Sequence, residues 1–112
     1  MSTGYVVVST VNAAEITGGT TVNDYADTTG YGFARLQAGV GGATITGFAG
    51  GFDGKRMVLV NAGANTITIP LQDTGSAAAN RVQTLSGASI VLLANNVVEL
   101  LYDGASAFWR EI

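Results

Sequence analysis

The sequence predicts an all-β protein, an antiparallel β-sandwich or jelly-roll-like barrel with a hairpin meander and a Gly-rich N-terminal arm. Three observations predict it. The apolar runs are short and are bounded by Gly, Asn, Asp and Ser. The sixteen glycines and single proline are spread so that no window of helical length escapes interruption. Turn dipeptides that tolerate positive φ, Asp53-Gly54, Asp103-Gly104 and Asn95-Asn96, punctuate the second half.

Taken in order, strands are expected at Tyr5–Val11, Gly32–Gln37, Ala43–Phe48, Lys55–Asn61, Thr66–Pro70, Arg81–Thr84, Ala88–Leu93, Val97–Tyr102 and Ala107–Ile112. "TGSAAANR" at Thr74–Arg81 allows one short helical turn, favoured by three alanines and limited by Gly75. "FDGKRMVLVNAGANTITIP" reads as a hairpin: an apolar strand, a turn at Asn61–Asn65 around Gly63, and a strand alternating Thr and Ile. The period of two puts Ile67 and Ile69 on one face and the threonines on the other. Met57–Val60 and Ile90–Leu93 are apolar on both faces, so each needs cover on two sides. Glu99 shares a face with Val97 and Leu101, which suits a rim or an interface partner better than a dry core. Phe108 and Trp109 fall on opposite faces, with Trp109 assigned to core or interface.

Residues 1–44 differ from the rest. "GGTTVNDYADTTGYG" and "AGVGGATITGFAGG" hold little large apolar volume, so this third is expected to be an extended arm or loop-rich platform that orders against another surface. Residues 45–112 form the β-structured module. A Gly-rich set of loops within one small sandwich is the alternative arrangement.

Composition narrows function mainly by exclusion. The chain lacks histidine and cysteine, which removes Ser-His and Cys-His nucleophile pairs, thiolate metal sites and disulfides. A Ser-Lys pair would require Lys55, expected in solvent beside a turn. Of the eight carboxylates, Asp53 and Asp103 belong to turns, and Asp24 with Asp27 is the only close pair, at a spacing that misses the calcium-loop pattern. "GVGGATITG" has glycines without a phosphate-loop context. No catalytic residue, cofactor or metal site is assigned, and the chain reads as a non-enzyme. Net charge −3 without clustered Lys or Arg excludes a nucleic-acid footprint. No run approaches the roughly 20 apolar residues of a membrane span, and the N-terminus has no signal-peptide pattern. The chain is expected to be made and kept in the cytosol until something assembles it. A 47% hydrophobic, 12% charged composition leaves few ionic groups to cover a monomer.

From about Ile45 onward the order and spacing of motifs resembles a module of virion structural proteins in tailed bacteriophages. A Gly-rich lead-in is followed by Asp53–Arg56, the apolar strand Val58–Asn61, and the alternating strand Asn65–Ile69. Asp73, Ser76 and Asn80-Arg81 come next, then Leu85–Gly87, Ile90–Leu92, Val98–Gly104 and a terminal Trp109-Arg110. The resemblance implies a trimeric β-structured part of a phage particle, of the kind found on tail fibres, tailspikes and capsid decoration (cement) proteins. With no repeats or heptads in view and the chain ending after the module, a decoration protein on the virion capsid surface is expected, with the major capsid protein as partner. A short tail-fibre or baseplate component that binds a host glycan or receptor is the alternative. The homotrimer interface is expected on the two-sided apolar strands, at Met57, Leu59, Ile90, Leu92, Val98 and Leu100.

Overall fold

A computed structural model describes residues 8–112 of the chain, which is all-β apart from one short 3-10 turn at Ala78–Asn80. The strands are β1 (Thr10–Asn12), β2 (Thr20–Val22), β3 (Phe33–Leu36), β4 (Ala43–Ile45) and β5 (Arg56–Asn61). They continue with β6 (Ile67–Ile69), β7 (Val82–Gln83), β8 (Ile90–Leu92), β9 (Val97–Asp103) and β10 (Phe108–Glu111). Two sheets result, one in the order β1-β3-β5-β9-β10-β7 and the other in the order β2-β4-β6-β8.

The architecture is solenoid-like rather than a sandwich or jelly roll. Thr10 lies beside Phe33 and Phe33 beside Val58, all in parallel pairing, so successive coils of 23 and 25 residues stack along the larger sheet. On the smaller sheet Thr20 lies beside Ala43 and Ala43 beside Ile67, again in parallel. Each coil contributes one strand to each sheet and turns a corner between them. The chain then reverses: β8 runs antiparallel to β6, β9 antiparallel to β5, and β10 folds back on β9.

This corrects the expected hairpin meander. β5 and β6 belong to different sheets, so Asn61–Asn65 is a coil corner and not a hairpin turn. Asn95-Asn96 likewise turns a corner between β8 and β9, with Asn95 at φ 67°. Of the expected tight turns only Asp103-Gly104 joins two paired strands, where the Ala107 amide donates to the Asp103 carbonyl at 2.8 Å. A repeat is nevertheless present in space, without a sequence signal, because its length varies and its corners differ in sequence. Residues 5–7 of the first expected strand lie outside the described residues.

The Gly-rich segment expected as an arm or platform contributes to both sheets. Ile16, Tyr25, Ala34, Leu36 and Ala43 join the same core as Met57, Leu59, Ile67, Ile69, Leu100 and Trp109. Three of its glycines, Gly18, Gly39 and Gly42, serve stacking. A Cβ on Gly18 would come 1.9 Å from the Val40 carbonyl oxygen, and one on Gly42, at φ +75°, would come 2.5 Å from that of Thr66. Coils cannot approach to strand-pairing distance through a side chain there. At these positions low side-chain volume reflects close backbone contact.

One buried amide ties the corners together. Asn61 is fully buried, and its Nδ2 donates to the carbonyls of Asn65 and Leu92, both at 2.8 Å. Its Oδ1 accepts the Gly63 amide at 3.1 Å. Asn65 in turn donates from Nδ2 to the Ala38 carbonyl of the coil below at 3.1 Å. Corner carbonyls that no strand can pair are thus satisfied by side chains.

Two outcomes follow from this arrangement. Asn61→Ala leaves buried carbonyls without donors and should lower unfolding free energy by about 3 kcal/mol, read from the urea midpoint. A chain reduced to residues 45–112 loses the parallel partners of β5 and β6, and should give a poorly dispersed amide NMR spectrum. A well-dispersed spectrum would restore the arm description.

Candidate assembly interface

The six residues expected at a trimer interface turn into the core of the single chain. Met57, Leu59 and Leu100 are fully buried within the single chain, Leu92 and Val98 nearly so, and Ile90 is partly buried against the core. The two-sided apolar runs do have an uncovered face, but it is carried by their alternate residues. β5 reads exposed–buried–intermediate–buried–intermediate–buried from Arg56, and β9 begins with exposed Val97. Choosing the other parity moves every side chain to the opposite side of its sheet.

Among the described residues, four of the eight exposed large apolar side chains lie at or beside the β8–β9 end of the coil stack, while others, Val40 and Phe52 among them, stand apart from it. Leu85 is 72% exposed, Val91 53%, Leu93 56% and Val97 59%. Leu85, Val91 and Val97 line a shallow concavity of about 360 Å³ together with Ile90, Asn96 and Glu111. β8 is the outermost strand of its sheet, reads Ile-Val-Leu, and carries no charge. Unprotected apolar edges of this kind invite pairing with another chain, and proteins ordinarily blunt them with charge or proline.

The residues singled out by motif hold the chain together. Asp73 Oδ1 accepts the Gly75 amide at 2.7 Å, turning the chain into a strap that crosses the coils. Ser76 Oγ accepts the Asp24 amide at 2.9 Å and shares a 2.7 Å hydrogen bond with Thr46 Oγ1. Asp24 Oδ1 receives Asn80 Nδ2 and the Ala77 amide, at 2.9 and 2.8 Å, so its carboxyl is held below the ordinary carboxylate range. Arg81 Nε donates to the Ser76 carbonyl at 3.1 Å. Below the strap, Trp109 is fully buried and donates from Nε1 to the Phe48 carbonyl at 2.9 Å. Trp109 meets Tyr102 edge-on, with ring centres 5.1 Å apart. Tyr102 anchors the strap through its hydroxyl to the Ala79 carbonyl at 2.8 Å.

Lys55 departs from expectation. It is 8% exposed, not solvated: its Nζ reaches the Gly50 carbonyl at 3.4 Å and lies 5.8 and 5.9 Å from the ring centres of Phe52 and Trp109. Desolvation lowers its pKa. Glu99 finds its partner within the chain, Arg56 at 3.1 Å. Among the described residues no group of three His, Cys, Asp or Glu is placed to hold a metal ion. Asp53 and Glu111 each accept a backbone amide, from Gly104 and Leu85.

Asp103 supplies a pH test. Arg110 Nε, 2.8 Å from its Oδ2, and the Ser106 hydroxyl lower its pKa from 3.8 to about 2. A depressed carboxylate stabilises the fold above its unfolded value, and that contribution is lost as pH falls through about 2. Carboxyl-carbon NMR should place the Asp103 midpoint near 2, and Arg110→Ala should raise it toward the ordinary range. No family model, curated protein or solved structure matches this chain.

Proposed function

We propose that the chain is a non-enzymatic structural protein of a bacteriophage particle, which binds the outer capsid surface as a homotrimer and stabilises the head. The observation that carries the assembly half of this reading is the uncharged, open edge at β8 with Leu85, Val91, Leu93 and Val97 exposed around it. Burying one such side chain contributes roughly 1.5–3 kcal/mol, so a few from each of three copies suffice for association. Closed cyclic symmetry also removes a sticky edge that would otherwise propagate. The phage and capsid half rests on the motif resemblance from Ile45 onward, with the major capsid protein as the shell partner. A short tail-fibre or baseplate component binding a host glycan is the second reading. The stacked parallel coils favour it, because coils added along one axis build elongated parts.

Light scattering on the wild type should give a trimer mass at micromolar concentration. Leu93→Asp should give a folded monomer, because Leu93 is exposed in the single chain and its replacement leaves the core intact. A monomeric wild type would sink the trimer. Immunogold labelling of particles should decorate the capsid lattice; label confined to the tail tip would select the second reading, and unlabelled particles would exclude both.

A further inference from the structure

The outer face of the larger sheet has a charge pattern that its alternating residues define. Pairing places Asn12 beside Arg35, Arg35 beside Val60 and Val60 beside Val97, a row with one cation that continues apolar toward β9. Arg35 is exposed and held ready: its guanidinium lies 4.8 Å over the Phe33 ring, and Nη1 donates to Asn12 Oδ1 at 3.2 Å. The two salt bridges among the described residues, Arg56–Glu99 and Arg110–Asp103, also belong to this sheet, and they leave Arg35 without a carboxylate partner. With three arginines against Glu99 and Asp103, these side chains carry a net charge of +1, in a chain whose net charge is −3.

The first coil has the opposite character. Glu15, Asp24 and Asp27 line one concavity of about 360 Å³, together with Ala14, Val22 and Ala26, and no lysine or arginine lines it. Asp24 is committed to the strap through Ala77 and Asn80, which leaves Glu15 and Asp27 as its outward carboxylates. A cationic, partly apolar sheet face and an acid-rimmed, partly apolar hollow complement each other in charge.

We propose that the Arg35 face of one copy docks on the Glu15/Asp27 hollow of a second copy. The inference rests on the proposed homotrimer and names its contact. A trimer requires the contact to be heterologous, each copy giving its Arg35 face to one neighbour and its hollow to the other, and three such contacts close a ring when the rotation between copies is threefold. The open β8 end, with Val97 at the end of the Arg35 row, then adds apolar area to a contact whose direction the charges set.

Charge reversal on each side tests this in the full chain. Arg35→Glu, or Glu15→Lys together with Asp27→Lys, should weaken association about 100-fold, because each sets like charges against each other. The chain carrying all three substitutions should regain trimer mass by light scattering. Circular dichroism and melting identify folded variants. Should a reversal fail to fold, Arg35→Gln and Glu15→Gln replace it, each expected to flatten the salt dependence of wild-type association. Trimers that persist in both reversals, no recovery in the combined chain, or an unchanged salt dependence in the Gln variants would overturn the docking mode and leave the trimer standing. A monomeric wild type would remove the trimer itself.

Discussion

The stack depends on one fully buried side chain, the Asn61 amide. A coil that passes from one sheet to another must break its backbone ladder at the corner, and the carbonyls freed there lie against neighbouring coils. Asn61 closes that gap by donating to Asn65 within its own coil and to Leu92 in the reversed layer above. Asn65 repeats the operation downward, onto Ala38. An apolar residue at position 61 would fill the space but leave the carbonyls unpaired, which costs more than the burial returns. Glycines complete the solution where the backbones approach too closely for any Cβ.

The strap from Asp73 to Arg81 is a second, independent tie. Parallel coils make contact chiefly with their immediate neighbours, so the first coil is bound to the remainder mostly through the second. The strap adds a contact between distant parts of the chain: Asp24 at the first coil holds Ala77 and Asn80, and Asn80 accepts the Phe48 amide at 2.8 Å. A Cβ on Gly47 would collide with both Asn80 and Ser76, so the strap and its seat fit without slack. Tyr102 and Trp109 fill the volume beneath, and each gives its polar hydrogen to a backbone carbonyl.

The proposed assembly draws on what this internal economy leaves over. Most carboxylates are engaged in turns, the strap or salt bridges, and most large apolar side chains are inside. The remainder is uneven: an uncharged strand edge at one end, acids around the first coil, and an arginine stacked and waiting on a broad sheet face. Such unevenness is what a chain destined to be covered by neighbours would leave exposed.

The sequence by itself determined the strand content and most strand positions, because period-two alternation between Gly, Asn and Asp punctuation is a local signal. It placed Ile67 and Ile69 inward, opposite Thr68, and put Phe108 and Trp109 on opposite faces. β2 escaped, since Thr20–Val22 holds one apolar residue and gains its pairing only from β4. Apart from the β9–β10 hairpin that Asp103-Gly104 marks, which strands pair was decided by tertiary structure alone. A turn such as Asn61–Asn65 looks the same locally whether the next strand folds back beside the last or crosses to another sheet. Only the partners 22 to 25 residues away, with Asn61 available to satisfy the corner, choose between them. The same choice set the exposed parity: Met57, Leu92 and Leu100 turned inward because two sheets of one chain cover them, leaving Val91, Leu93 and Val97 outside.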